Sequence, residues 1–200
     1  MTKRTAKLPQ KPSKEYLAEV IRSVSISISD NNTQKLLDAF ESVVYDKHTK
    51  IIKEGDITSY LYFISKGLVR VYYFNNGKEL IDWFAEEGSF FGNLYSHILQ
   101  KPGFDIYEAM EDVTVLRIKY TDLERLFKES HEIESIARKV LEKYYVTYVQ
   151  RVHHLKGLSS DEKYTAFLKN YASCSNRIPL KYVANYLGIS SETLSRIRAK

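Results

Sequence analysis

Short runs of β-branched and aromatic residues recur between about residues 46 and 120, and each run ends near a turn-forming residue. The glycines between these runs are Gly55, Gly67, Gly77, Gly88 and Gly92. The tripeptide Asn75-Asn76-Gly77 predicts a hairpin, because asparagine and glycine tolerate the positive φ angles of a two-residue turn. Many short strands at near-regular spacing favour a small β-sandwich or barrel over alternating β/α units.

Helical periodicity is found on both sides of this strand-rich region. Residues 15–45 contain two amphipathic stretches. After the strands, residues 131–156 contain neither Gly nor Pro and predict one long helix. Another helix is predicted to follow Ser159 or Ser160, with Glu162 in its first turn as part of a capping box.

The long helix carries two adjacent, largely apolar stripes. The first consists of Ile133, Ile136, Val140, Tyr144, Thr147 and Arg151, and the second of Ala137, Leu141, Tyr144, Tyr148, Val152 and Leu155. Two such stripes favour a helix that packs between its own domain and a partner. We assign the first stripe to contact with a second copy of the chain. The alternative is a helix that buries one wide face inside a monomer.

The C-terminal run IPLKYVANYLGISSETLSRIRAK meets the geometric demands of a helix-turn-helix. Ala184 provides a small residue where the two helices cross, and Gly188 provides the turn. Ser190 or Ser191 is suited to cap the second helix. The apolar positions that would form the shared core are Val183, Leu187, Ile189, Leu194 and Ile197. An ordinary helical hairpin with a solvated polar face is the alternative.

The second of these helices has a polar face with the chemistry of a major-groove reader. Arginine can donate two hydrogen bonds to guanine, glutamate can accept from cytosine N4, and serine or threonine can bind base edges or phosphates. Lysine and arginine near the helix ends can neutralise backbone phosphates. The predicted DNA-binding residues are Ser190, Ser191, Glu192, Thr193, Ser195, Arg196, Arg198, Lys200 and Lys181.

From residue 15 onward, the chain resembles the cyclic AMP receptor protein/fumarate-nitrate regulator (Crp/Fnr) family of bacterial transcription factors. The stretches that carry the resemblance are IIKEGD, YLYFISKGLVRVYY, GSFFGN, EAMEDVTVLRI and LGISSETLSRI. The resemblance implies an α+β protein with a cyclic-nucleotide-binding-like β-roll (a jelly roll), a long dimerisation helix and a C-terminal all-α helix-turn-helix domain. The expected division is a basic tail at 1–14, the sensor roll at 15–130, the dimerisation helix at 131–156 and the DNA-binding domain at 157–200.

The resemblance also implies partners. A homodimer would bind a pseudo-palindromic operator in double-stranded DNA, and RNA polymerase is a further candidate partner. The formal net charge is +5, with basic residues concentrated in 1–14 and 157–200 and a mildly acidic middle. The alternative is a ligand-binding sensor module that acts on a protein partner without binding DNA.

The sequence departs from the family members that bind cyclic AMP. Those members use a Gly-Glu-Leu turn for the ribose and an Arg-Ser pair for the cyclic phosphate. The matching turn here is Gly92-Asn93-Leu94, and the pair would fall near Gly103-Phe104, without a basic residue at the phosphate position. An uncompensated buried phosphate is costly, so we expect cyclic AMP not to bind and any small effector to be of another kind. The expected effector pocket consists of Phe91, Gly92, Asn93, Leu94, Phe104 and Tyr107, although these aromatic rings could instead fill the roll.

Several other classes of protein are not expected. Cys174 is the only cysteine, which excludes an intramolecular disulfide and the cysteine cluster of the oxygen-sensing branch. The His-x-His pattern of a cupin-type metal site, a nucleophile elbow and a P-loop are missing, so we expect no enzyme, metal site or cofactor. No apolar run approaches the roughly 18 residues of a membrane span, and the N-terminus lacks a signal-peptide core. A cytoplasmic protein without membrane contact is expected.

Overall fold

A computed structural model describes residues 13–24 and 28–199 of the chain. The strand-rich region folds into β1 Glu41–Tyr45, β2 Lys50–Ile52, β3 Tyr60–Lys66, β4 Val69–Asn75, β5 Lys78–Ala85, β6 Phe90–Phe91, β7 Ile106–Ala109 and β8 Val113–Lys119. These strands form two four-stranded sheets with the orders β1-β8-β3-β6 and β2-β7-β4-β5. All neighbouring strands are antiparallel. The predicted α+β class and β-roll are confirmed.

The predicted hairpin joins β4 to β5. Asn75 pairs with Lys78, so the turn contains two residues. These two residues, Asn76 and Gly77, have φ angles of 50° and 75°. Positive φ at both positions matches the right-handed twist of the flanking strands. Strand β5 lies at the edge of its sheet, so one side of its backbone has no neighbouring strand.

Eight α-helices are described: α1 Ser13–Val24, α2 Asp30–Ala39, α3 Leu94–Leu99, α4 Tyr120–Glu129, α5 His131–Gly157, α6 Ser160–Asn170, α7 Leu180–Leu187 and α8 Ser191–Arg198. The predicted capping box is present at α6, where Ser159 and Glu162 each accept a backbone hydrogen bond from the other. None of these helices is long and apolar enough to cross a membrane. Of the predicted basic tail 1–14, residues 1–12 lie outside the described part of the chain.

Three apolar cores hold the fold together. One lies between the two sheets and includes Ile64, Val71 and Val115. A second lies on the outer face of the sheet β1-β8-β3-β6, where it is covered by α1, α2, α4 and the first turns of α5. A third joins β4, β5 and β7 to the C-terminal helices, so α6, α7 and α8 share their core with the roll.

The first turns of α5 correct the assignment of the dimer stripe. Ile133 and Ile136 are fully buried in the core that α5 shares with α1, α2 and the outer sheet, and Val140 packs against the same core. A side chain that is buried within its own chain cannot also contact a second copy. These three residues therefore stabilise the monomer fold.

Of the three remaining residues of that stripe, two are bonded to the roll and one is exposed. The hydroxyl oxygen of Tyr144 accepts a hydrogen bond of 2.8 Å from the backbone N–H of Phe90. Arg151 donates to the carbonyl oxygen of Ile81 at 3.1 Å. Only Thr147 is exposed, and its hydroxyl is bonded to the backbone of its own helix. Most of the stripe assigned to dimerisation thus faces the chain's own fold, and the assignment is wrong for the buried Ile133 and Ile136.

Candidate functional site

A tight turn separates α7 from α8. Gly188 ends α7 in the left-handed conformation, with φ of 66°. Its N–H donates to the carbonyl oxygen of Asn185 at 3.0 Å, and the N–H of Ile189 donates to that of Ala184 at 3.0 Å. These two bonds satisfy carbonyl groups that the end of a helix leaves unpaired. Glycine is favoured at this position because a side chain in the left-handed region is strained.

The apolar residues of this helix pair face inward, as their spacing predicts. Val183, Ala184, Leu187 and Leu194 are buried, and they belong to the core shared with the roll. Ile189 packs against the same core. Ile197 is half-buried. The small side chain of Ala184 lies among these larger residues, which allows α7 and α8 to pack closely.

The polar face of α8 is turned outward. Ser191, Glu192, Ser195 and Arg196 are all exposed. The hydroxyl oxygen of Ser190 caps the helix by accepting a hydrogen bond of 3.1 Å from the N–H of Thr193. Ser190 is therefore a helix cap.

Two of these polar residues are held by local contacts. A guanidinium nitrogen of Arg196 lies 3.4 Å from the hydroxyl oxygen of Thr193, one turn earlier in α8. Hydrogen bonds from its own backbone N–H and from the Ser190 hydroxyl lower the pKa of Glu192, which keeps its carboxylate ionised. The exposed face therefore presents an anionic side chain, Glu192, in the first turn of α8 and a cationic one, Arg196, in the last turn.

The predicted phosphate-binding cations lie at the margins of the helix pair. Lys181 is exposed in the first turn of α7, with its ammonium nitrogen 4.7 Å from the ring centroid of Tyr182. Arg198 is exposed at the end of α8 and lines a groove that also contains Leu168 and Leu180. Lys200 lies outside the described residues.

The aromatic residues of the predicted effector pocket are separated by the fold. The ring of Phe91 stacks on Tyr62 at 4.8 Å and on Tyr107 at 5.6 Å between centroids. The Tyr107 hydroxyl donates to the carbonyl oxygen of Gly92 at 3.2 Å, and burial raises the pKa of this tyrosine. These rings fill the space between the sheets, which is the alternative that the sequence left open.

Leu94 and Phe104 lie on the outer surface instead. Both side chains are exposed, and the ring of Phe104 contacts the rings of Tyr73 and Tyr95 at 6.2 and 5.3 Å. Because Phe91 and Tyr107 are buried in the core, the six predicted residues do not face one common cavity. The expectation of a pocket lined by all six is corrected accordingly.

Asn93 occupies the centre of this region. The residue is only 2% exposed, and its amide oxygen caps α3 by accepting from the N–H of Ser96 at 3.0 Å. Its amide nitrogen has no hydrogen-bond partner in the described part of the chain. A Cβ atom at Gly103 would lie 2.2 Å from that nitrogen. A side chain at position 103 would therefore require the Asn93 side chain to shift.

Sequence reasoning missed a set of residues that joins the C-terminal helices to the roll. Arg177, just before α7, binds Glu87 at 2.5 Å and Glu111 at 2.5 Å. Burial acts to raise the pKa of Glu87, but hydrogen bonds from Arg177 and from the N–H of Gly67 outweigh it and lower that pKa. No periodic signal marks these pairs, because their partners are far apart in the sequence.

No group of three or more His, Cys, Asp or Glu side chains is placed to hold a metal ion within residues 13–24 and 28–199. Cys174 is a free, fully buried thiol whose pKa is raised by burial and by its hydrogen bond with Glu86.

Residues 42–130 match the cyclic nucleotide-binding domain family. No curated protein sequence matches the chain. Among solved structures, CLP, the c-di-GMP responsive global regulator of Xanthomonas campestris, is similar with a TM-score of 0.67 and 18% identity over 84% of this chain and 89% of that one. FixK2 from Bradyrhizobium japonicum has a TM-score of 0.67 and 20% identity over 80% and 83% of the two chains. The Thermus thermophilus catabolite activator protein has a TM-score of 0.57 and 18% identity over 88% and 84%. Residues 42–130 therefore resemble that domain family, and the chain shares its overall fold with these three structures.

Proposed function

We propose that the chain is a DNA-binding transcriptional regulator of the Crp/Fnr type. The observation that carries this proposal is the surface of α8. Its apolar Leu194 is buried, whereas Ser191, Glu192 and Arg196 are exposed on one face of a capped helix. In the proposed division, residues 15–130 form the sensor roll, 131–156 the dimerisation helix and 157–200 a helix-turn-helix domain.

In this proposal α8 lies in the major groove of double-stranded DNA. The guanidinium group of Arg196 donates to guanine, and the ionised carboxylate of Glu192 accepts from cytosine N4. Lys181 of α7 and Arg198 of α8 are exposed, and in this proposal they contact the phosphates that flank the groove. Because the hydroxyl oxygen of Ser190 already caps α8, we assign Ser190 to positioning.

The proposed homodimer uses an exposed stripe of α5 that consists of Leu141, Tyr145, Tyr148, Val152 and Leu155. It keeps four residues of the second stripe and has the exposed Tyr145 in place of the half-buried Tyr144. Leu141, Tyr145 and Tyr148 are 52%, 67% and 59% exposed, which is unusual for large apolar and aromatic side chains in succession on one helix. With Val152 and Leu155, their spacing alternates between four and three residues, as at the a and d positions of a coiled coil. The same residues of a second copy would cover this stripe. Two copies of α8 then face successive turns of the major groove.

The proposed effector, if one binds, is not cyclic AMP. This part of the proposal is supported by Gly103-Phe104, which contains no basic residue, and by the close contact between Gly103 and the Asn93 side chain. Isothermal titration of the protein with cyclic AMP should give no saturable heat. Saturable binding at micromolar cyclic AMP would contradict the proposal, because another residue would then have to neutralise the phosphate.

A sensor module that acts on a protein partner without binding DNA is the second candidate. It is supported by similarity to the regulatory domain of Toxoplasma gondii PKA, with a TM-score of 0.54 and 17% identity over 77% of this chain and 56% of that one. In this case the exposed residues of α8 would have no part in recognition. RNA polymerase is a proposed partner only under the first candidate.

Selection of bound duplexes from a random library by the purified protein distinguishes the two candidates. The expected result is an inverted repeat with half-sites about one helical turn, ~34 Å, apart. A variant with both Glu192→Ala and Arg196→Ala serves as the control and should enrich no repeat. If the unaltered chain enriches nothing, even with cell extract present to supply an effector, the second candidate is favoured.

A further inference from the structure

The edge strand β5 is covered by a side chain of α7. The backbone N–H of Ile81 donates to the side-chain oxygen of Asn185 at 2.7 Å, and the Asn185 side-chain nitrogen donates to the carbonyl oxygen of Glu79 at 2.8 Å. The primary amide therefore supplies a donor and an acceptor to the open side of the strand, as a neighbouring strand would. The contact spans more than one hundred residues of sequence and fixes α7 on one register of β5.

The long helix α5 binds the backbone of the same residue, Ile81. Arg151 donates to the carbonyl oxygen of Ile81 at 3.1 Å and to that of Tyr186 at 3.4 Å. Its guanidinium carbon also lies 3.7 Å from the ring centroid of Tyr186, a cation–π distance. Arg151 thus joins α5, β5 and α7 at a single point.

An aromatic cluster completes the contact. Phe84 of β5 is buried, with its ring centroid 5.5 Å from Tyr171, 5.6 Å from Tyr186 and 6.4 Å from Phe167. The N–H of Phe84 donates to the hydroxyl oxygen of Tyr171 at 3.3 Å. The apolar cluster attracts the C-terminal helices to β5 without fixing their direction, whereas the hydrogen bonds of the Asn185 amide are directional. Together they hold α7 in one orientation on β5.

The backbone of Asn185 connects this contact to the turn before α8. Its carbonyl oxygen accepts the hydrogen bond from Gly188 that closes α7. The same residue therefore binds the roll through its side chain and supports the turn through its main chain. A displacement of Asn185 relative to β5 must move the start of α8 with it.

We propose that Asn185 sets the operator half-site spacing by holding the α7–α8 pair in one orientation on β5. This inference rests on the proposed DNA binding and homodimer. Successive base pairs are only about 3.4 Å apart along the duplex, so a shift of a few ångströms in each α8 changes the preferred spacing by about one base pair. Asn185 is a positioning residue in this proposal, because its side chain is bonded to β5 and does not face the DNA.

The first test needs no DNA. Cys174 is fully buried in the core shared by the roll and the C-terminal helices, and it is the only cysteine. Its rate of reaction with a thiol reagent therefore reports separation of the C-terminal helices from β5. We expect Asn185→Ala to raise this rate by about tenfold through local opening, without loss of cooperative unfolding. Asn170→Ala, at the exposed end of α6, is the matched control and should leave the rate unchanged.

The second test measures affinity for a series of duplexes whose selected half-sites differ in spacing by single base pairs. The unaltered chain and Asn170→Ala should prefer one spacing by about tenfold, and Asn185→Ala should lose most of that preference. Asn185→Asp keeps the acceptor for Ile81 but loses the donor to Glu79, so its preference should be intermediate. It also provides a second variant if the alanine variant does not fold.

The outcomes separate the two proposals. If Asn185→Ala weakens binding equally at every spacing, or if the Cys174 rate does not change, the role of Asn185 in spacing is overturned. If the unaltered chain binds no duplex, the proposed function fails. The thiol measurement would still decide in that case whether Asn185 holds the α7–α8 pair on the roll.

Discussion

Asn93 and Gly103 fit together so closely that a Cβ atom at residue 103 would lie 2.2 Å from the side-chain nitrogen of Asn93. Real Cβ atoms essentially never approach a neighbour so closely. Asn93 cannot easily move away, because its side-chain oxygen caps α3 at Ser96. A side chain at position 103 would therefore displace Asn93 or the backbone around it.

This relationship predicts a coupled pair of substitutions. Gly103→Ala should lower the free energy of unfolding by about 1–3 kcal/mol, as overpacking does in a filled interior. Asn93→Ala should cost about 1 kcal/mol through loss of the α3 cap. The double variant should be more stable than the sum of the two losses predicts, because the shorter side chain in place of Asn93 leaves room for the new methyl group. Urea denaturation of the four proteins measures the coupling, and additive losses would mean that the two residues do not compete for space.

A second prediction concerns the exposed stripe of α5. Tyr148→Glu should reduce the sedimenting mass from that of a dimer to that of a monomer, because the charge would be buried unpaired in the seam. Gln150→Glu places the same charge on a different face of the helix and should leave the dimer intact. If Tyr148→Glu leaves the sedimenting mass unchanged, the exposed stripe of α5 is not the seam.

Tyr144→Glu provides a contrast on the same helix. The hydroxyl of Tyr144 is bonded to the backbone of Phe90, and its ring contacts Trp83. Burial also raises the pKa of Tyr144. The glutamate should therefore lower the unfolding temperature of the monomer itself, as seen by circular dichroism. The two variants separate the residues that hold α5 on the roll from those that are open to a second copy.

A third prediction uses a buried carboxyl group. Burial and the negative charge of Asp82 raise the pKa of Asp105 to about 6 in the folded chain, from an ordinary value of 3.8. The folded state therefore binds the proton more tightly than the unfolded state, so the free energy of unfolding falls as the pH rises from about 4 to about 6. Asp105→Asn should stabilise the protein by about 1 kcal/mol at pH 7, a value kept small because the site is partly solvated.

The pH dependence of the stabilisation by Asp105→Asn serves as the control for this prediction. Well below pH 3.8 the Asp105 carboxyl is neutral in both states, so the difference between Asp105→Asn and the unaltered chain should vanish there. Urea denaturation at a series of pH values measures it. A stabilisation that is the same at every pH would show that packing, and not charge, is responsible.

The features that were predictable from the sequence depend on a few adjacent residues. Asn76 and Gly77 determine a two-residue turn, Ser159 and Glu162 form a capping box, and Gly188 ends a helix, because each requires only local geometry. The strand-rich composition likewise identifies the roll without specifying its partners. Each of these expectations was confirmed by the backbone angles or hydrogen bonds of the fold.

The features that the sequence did not predict depend on tertiary contacts between helices and strands that are far apart in the chain. Tyr144 and Tyr145 are neighbours on one helix, and periodicity does not tell which of them faces the roll and which is exposed. The amide of Asn185 is ordinary in sequence, yet it bonds to Ile81 across more than one hundred residues. The prediction of one effector pocket was wrong for the same reason. Phe91 and Phe104 are identical residue types, but the fold places Phe91 inside the roll and Phe104 on its surface.

The last prediction concerns base recognition by α8. If Arg196 donates two hydrogen bonds to a guanine, Arg196→Ala should cost about 1–3 kcal/mol at the one base position that it contacts and relax the preference there. Arg196→Lys should lose most of the same preference, because an ammonium group cannot reproduce the planar pair of donors. Affinities for the selected operator and its single-base variants, measured at fixed salt, test this. A loss that is equal on every sequence, with a weaker salt dependence, would instead make Arg196 a phosphate contact.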